Sequence, residues 1–412
     1  MSTQATGKPD RLARSWIAGF LLIGLLLGLA GSLLVAWHYH IDADPRLIAL
    51  HFLGLNAGYV IAALGAERLI ERTGARPLAL ASCVLAAATL AGLSFLAPPF
   101  TAGWRILDLA CVGAAAGALM TALLHVLQPD FERTPAAAVH LSGVLFGCGC
   151  LLATVVVALA YLTSSPEIQT GLLAVVPLVF AALFVASPRP SAVRRSRSND
   201  TLRDLRSIAA VLFSLLLFVQ CGNEWAIAGW LPLYLIHRLG SNPAWAIFAL
   251  AGYFSALTLG RIAVRALLPR MSHPKLLFIS TAVAMTGYLL LSFTTALSGA
   301  WIAVIVIGAG FAPIFPLIAE TLDERFSYHP GFYNGLFSIA ITGAMCTPWL
   351  LGYLDAYFGA AYVILIPALG SIAVLVLALL IMLEARVMGL KITAVDSSRP
   401  SSQSSATAAG RS

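Results

Sequence analysis

The chain has 412 residues, of which 59% are hydrophobic and only 10% charged, and it carries a formal net charge of +7. That balance excludes an ordinary water-soluble globule and fits a chain built for lipid. The positive charge does not indicate nucleic acid, because the basic residues do not gather on an aromatic-laced soluble segment, so no nucleic-acid partner is expected.

A bilayer core about 30 Å thick needs about 20 residues of helix, and apolar stretches of that length recur twelve times. In chain order they predict spans over 16–36, 47–66, 78–97, 104–127, 138–162, 168–187, 207–236, 244–263, 275–295, 299–319, 332–354 and 361–384. Continuous apolar runs, rather than short alternating segments, exclude a β-barrel. The first stretch follows a basic start, as in a signal peptide, yet it is long and lacks an Ala-x-Ala-type cleavage site, so it reads as an uncleaved span. The expected fold is an all-α integral membrane protein of twelve transmembrane helices in two six-helix, pseudo-symmetric bundles.

The expected organisation is a cytoplasmic tail at 1–15, a first bundle at 16–187, a basic linker at 188–206, a second bundle at 207–386 and a disordered Ser/Ala/Thr-rich tail at 387–412. With a cytoplasmic N-terminus, all of the 25 Lys+Arg residues except Arg46, Arg105 and Arg238 fall on the inner side. This positive-inside bias puts both termini in the cytoplasm. Dominant Ala and Leu, with Arg as the main basic residue, point to a bacterial inner membrane.

The halves echo one another. Ala57-Gly58-Tyr59 in span 2 returns as Ala251-Gly252-Tyr253 in span 8, and Glu132-Arg133 returns as Glu324-Arg325. Parallel repeats of this kind enclose a midplane site and rock around it. Small-xxx-small pairs at Gly24/Gly28, Gly113/Gly117 and Gly143/Gly147 let helices approach closely. All six cysteines fall within spans, and Cys148 and Cys150 point to different faces of one helix, so they read as packing residues. No metal site, cofactor or enzyme motif is expected.

The connector after span 2, Glu67-Arg68-Leu69-Ile70-Glu71-Arg72-Thr73-Gly74-Ala75-Arg76, resembles the signature loop of the major facilitator superfamily, Gly-x-Leu-x-Asp-Arg-x-Gly-Arg-Lys. Leu69, Arg72, Gly74 and Arg76 match; Glu71 stands for the Asp, while Glu67 and Ala75 replace a Gly and an Arg. Four further segments, Gly222-Asn223-Glu224-Trp225 to Tyr234, Leu259-Gly260-Arg261, Gly308 to Pro316 and Thr347 to Gly352, resemble the fucose–proton symporter and glucose/galactose permease branch. The resemblance implies a sugar or similar polyhydroxy solute moved with protons by alternating access. That branch also uses an acid in span 4, where Asp108 is the only candidate, and its fucose carrier has one in span 1, where this chain has none.

Glu224 is the first candidate for proton coupling, since an acid deep in a span is costly and usually faces a cavity or a partner. Counting along span 7 puts it in the outer part of the membrane, in a helix interrupted by Gly222, Gly229 and Pro232; a structural acceptor steadying that break is the plainer reading. Asp108 is the second candidate, unless Arg105, one turn before it, pairs with it as a structural latch. Candidates for solute binding are Trp225 and Trp230, as stacking faces of which one is expected to meet the cavity, with Asn56, Gln220, Asn223, Tyr253 and Asn334 as hydrogen-bonding groups. Each of the latter, taken singly, fits helix–helix glue better than solute contact. Glu71, Arg72, Arg76 and Glu132 in the first half, with Arg261, Glu320 and Glu324 in the second, are candidates for a cytoplasmic gate.

The sequence therefore predicts a secondary transporter for a small polar solute, a sugar or sugar derivative, taken up by proton symport. Its partners would be that solute, protons (sodium remaining open) and the lipid bilayer, with a monomeric chain. The alternative is efflux of drugs or amphiphilic metabolites by proton antiport, against which the missing Pro in the Gly143–Gly149 segment counts. A non-transporting membrane sensor is a third reading, disfavoured because the tail is too short and polar for an output domain.

Overall fold

A computed structural model describes residues 15–96, 98, 100–133, 135–163, 171–187, 207–267, 270–326 and 330–387; the expected 188–206 linker and nearly all of both tails lie outside them. Among the described residues the regular structure is helical. The spans are α1 (Ser15–Ala36), α2 (Pro45–Thr73), α3 (Ala75–Phe95), α4 (Ala102–Val126), α5 (Pro135–Thr163), α6 (Gly171–Ala186), α7 (Ile208–Leu239), α8 (Pro243–Leu267), α9 (His273–Phe293), α10 (Leu297–Leu322), α11 (Pro330–Phe358) and α12 (Tyr362–Val387). Eleven are long and apolar enough to cross a membrane; α6 is apolar but shorter. These are the twelve helices the hydropathy pattern predicts.

Local chemistry sets the ends. Asp44 accepts a hydrogen bond from Arg46 N at 2.9 Å, and Pro45 opens α2. Gly74, at φ 88°, ends α2 and turns the chain directly into α3, a backbone that only glycine adopts without strain. Ser207 caps α7 through Ala210 N at 3.1 Å, and the left-handed Gly240 closes it.

The halves meet mainly through α2 on α11 and α5 on α8, with α1 against α7. One end of the molecule, here the basic face, carries the Gly74 turn and most of the described arginines; the opposite face carries residues 37–44 and 240–242. Large exposed hydrophobics such as Ile61, Phe95, Leu259 and Phe293 cover the outside, as a lipid-facing surface requires.

The sequence reading expects a broken span 7, but α7 runs without interruption from Ile208 to Leu239. Pro232 lacks the N–H that would bond Ala228 O, and that carbonyl turns to α1, where a Cβ added to Gly31 would stand 2.1 Å from it. The proline is tolerated because a neighbouring helix covers the freed group. Gly31→Ala is therefore expected to add about 1–3 kcal/mol of overpacking only where the opposite face is closed. Faster modification of Cys221, half-buried on the central cavity, by a membrane-impermeant thiol reagent would reveal the opening; an unchanged rate would contradict it.

Candidate functional site

The site grows from the periodicity of α7. Positions 221, 224 and 225 share one helical face, and they meet α8 and the first half around a space of about 80 Å³. Glu224 and Arg261 line it, together with Tyr59, Trp225, Phe146 and Phe315. Ligand pockets usually measure roughly 300–1,000 Å³, so the site is collapsed and a solute must open it.

Glu224 lies midway along α7, not toward its outer end as counting from the basic side suggested, because the helix continues past residue 236. One carboxylate oxygen accepts from Gln220 Nε2 at 2.9 Å, and the other pairs with Arg261 Nη2 at 3.0 Å. The two side chains are 13% and 5% exposed; this is a buried ion pair. Arg261 Nη1 also donates to Gly143 O at 3.2 Å, across the boundary between the halves, and its guanidinium lies 5.5 Å from the Phe315 ring centre. Tyr253 is buried with its hydroxyl 3.4 Å from Glu224 O. Tyr59 Oη, Gln220 Oε1 and Arg261 Nε are buried without a hydrogen-bond partner among the described residues, a clustering that marks a place where a ligand's polar atoms would be received.

The remaining solute candidates scatter. Trp225 reaches the cavity, in edge contact with Phe146. Trp230 instead donates to Pro348 O at 3.0 Å and packs near Phe52 toward the opposite face. Asn223 faces α12, where a Cβ at Gly370 would sit 2.0 Å from its Oδ1. Asn56 turns back to Phe52 O at 2.9 Å. Neither asparagine is among the residues that line the cavity.

Asp108 is half-buried against α3, its Oδ1 3.1 Å from where a Gly92 Cβ would stand, and it does not join Glu224. Arg105 does not pair with it either: its guanidinium donates to Leu96 O, Phe100 O and Tyr39 Oη. Asp108→Asn is therefore expected to leave solute-driven proton movement intact and to change stability by less than about 1.5 kcal/mol. Loss of coupling in that variant would contradict the placement.

Among the described residues, the expected gate candidates do not pair with one another across the halves. Arg261 belongs to the central pair, because it sits six residues inside the end of α8. Glu71, Arg72 and Glu132 are exposed, Arg76 donates to Val185 O of α6, and Glu320 pairs with His273 at 3.0 Å within the second half. The side chain of Glu324 lies outside the described residues. What crosses the halves at the basic face is Asn334 of α11. Its amide donates to Glu67 Oε1 at 3.1 Å and Ala63 O at 3.2 Å, and its carbonyl accepts from Thr121 at 3.1 Å. His125 lies 3.1 Å from the other Glu67 oxygen. Sequence reasoning named Asn334 for solute contact and missed Glu67, which stands just past the predicted span 47–66 but inside the observed helix Pro45–Thr73.

At the opposite face the junction is mostly apolar: Gly31 on Ala228, Phe52 beside Gly229 and Trp230, and Gly352 on Ala49. Contacts thus flank the cavity on both sides.

Comparison with known proteins agrees with this architecture. The family model described as Major Facilitator Superfamily matches residues 16–346. No curated protein sequence matches the chain. A crystal structure of a variant of the E. coli fucose:proton symporter, FucP, is similar with a TM-score of 0.63 at 17% identity, covering 90% of this chain and 98% of that one. Another FucP structure, in the outward conformation, gives a TM-score of 0.63 at 18% identity with the same coverage. At these identities the likeness is one of fold.

Proposed function

The chain belongs to the Major Facilitator Superfamily and is a multi-pass membrane transporter rather than an enzyme, and from that premise we propose that it takes up a small polar solute, a sugar or sugar derivative, together with protons. The observation that carries this reading is the Glu224–Arg261 pair buried in the cavity between the halves. A carboxylate there is the group able to gain and lose a proton as the two junctions open in turn. Trp225 and the free Tyr59 hydroxyl line the cavity, with Gln220 bonded to Glu224 beside them, and supply an aromatic face and polar atoms for a ring bearing hydroxyls. The basic face is cytoplasmic in this reading, in a bacterial inner membrane, with the chain acting as a monomer.

The apolar remainder of the wall, including Phe20, Leu27, Phe146, Phe315 and Phe337, favours a second reading: outward movement of an amphiphilic solute in exchange for protons. The direction of proton flow separates the two. In proteoliposomes with a pH-sensitive dye inside, an inward gradient of the transported sugar or sugar derivative should acidify the lumen, whereas antiport would make it alkaline. Glu224→Gln should abolish the proton signal while leaving solute-for-solute exchange measurable. Proton movement that survives in that variant would remove Glu224 as the coupling group.

A further inference from the structure

We infer that the transported solute is a small monoanion whose carboxylate takes Arg261 when Glu224 takes the proton; this rests on the reading of Glu224 as the proton site. The argument is one of charge. Glu224 and Arg261 sum to zero in the cavity, and the other titratable groups that face Glu224 are Cys150, Cys221, Tyr253 and Tyr288, thiols and phenols that are ordinarily uncharged at neutral pH. A proton on Glu224 therefore leaves an uncompensated guanidinium in an apolar space, and an arginine does not shed its own proton. A neutral sugar supplies hydroxyls but no countercharge. A carboxylate restores neutrality.

The geometry of Arg261 agrees. A guanidinium presents Nε and Nη2 along one edge, matched to the two oxygens of a carboxylate. Glu224 uses Nη2 alone, at 3.0 Å, and Nε is buried without a partner among the described residues. Half of the fork is open. The unpartnered Tyr59 hydroxyl lines the same cavity and Gln220 Oε1 lies beside Glu224, so a carboxylate borne on a short hydroxylated or apolar body would meet both polar and aromatic groups. The exchange is balanced: Glu224 gains one proton from water, Arg261 trades one carboxylate for another, and the loaded site carries no net charge. One proton then moves with one anion, and no net charge crosses the membrane.

Two measurements test this on the full chain. In proteoliposomes, D-galacturonate and D-gluconate, which cross lipid poorly by themselves, should acidify the lumen without a current, and Arg261→Lys should lower that flux at least tenfold. L-fucose and D-glucose should give neither signal. A sugar-evoked current accompanied by acidification would overturn the anion while leaving proton coupling through Glu224 standing. In detergent, Glu224→Gln leaves Arg261 alone, and its melting temperature should rise with galacturonate, gluconate or benzoate at concentrations where L-fucose and sodium chloride do nothing. Glu224→Gln/Arg261→Met should show no such response. A rise of equal size in the double variant, or none in the single one, would overturn the inference even where proton coupling holds. If neither sugars nor sugar acids move protons and the single variant is insensitive to carboxylates, both readings fall.

Discussion

Arg261→Met should destabilise the protein by about 3–5 kcal/mol at neutral pH, the usual cost of removing one partner from a buried ion pair, and should do so in a pH-dependent way. Glu224 left alone can neutralise itself with a proton from water. The deficit relative to the parent chain should therefore narrow as pH falls. Glu224→Gln has no such escape, because arginine holds its proton throughout, so its deficit should be flat with pH. The double variant Glu224→Gln/Arg261→Met, which removes both charges, should regain most of the loss. Melting curves of the three proteins between pH 5 and 8 check this, and two single variants with the same pH profile would show that the pair does not behave as an isolated buried couple.

Asn334→Leu is expected to have the largest conformational effect. It deletes the bond to the Glu67 carboxylate, worth about 1.5–3 kcal/mol as a charge-assisted contact, and two neutral bonds of about 0.5–1.5 kcal/mol each. It also leaves Glu67 with His125 alone. These bonds tie α11 to α2 and α4 and exist only while the basic face is closed, so even about 3 kcal/mol shifts the balance roughly a hundredfold toward opening there. Spin labels at Arg72→Cys and Arg270→Cys, both exposed on that face in different halves, should report a longer distance distribution, in a background with the six native cysteines replaced. An unchanged distribution would mean that Asn334 is packing and nothing more.

The fold was legible because each span announces itself by apolar length, which in a bilayer leaves the backbone no alternative to a helix. The acid at Glu224 was legible for a related reason: an ionisable group deep within an apolar run has to be accommodated by something. Its partner was not. Arg261 lies near the basic end of α8, where arginines are expected from topology alone, and only its long side chain carries the charge to mid-membrane. The sorting of α7 side chains was within reach of the sequence, since Gln220 and Glu224 stand four residues apart and Asn223 lies off their stripe. Which stripe faces the cavity depended on how the halves pack. The cross-half role of Asn334 was hidden for the same reason, since Ala63, Glu67 and Thr121 are some two hundred residues or more away in sequence.

The two junctions that flank the cavity differ in kind, and this gives them different thermal responses. Separating Gly31 from Ala228, Phe52 from Trp230 and Ala49 from Gly352 at the opposite face exposes apolar surface, whose hydration carries a positive heat capacity. Releasing Asn334 from Glu67 at the basic face exposes polar groups, whose hydration carries a negative one. The balance between the two open forms should then curve with temperature rather than follow a straight van't Hoff line. Chilling weakens apolar contact, so cold should favour the form open on the opposite face, and a temperature series would sort the two openings without touching a residue.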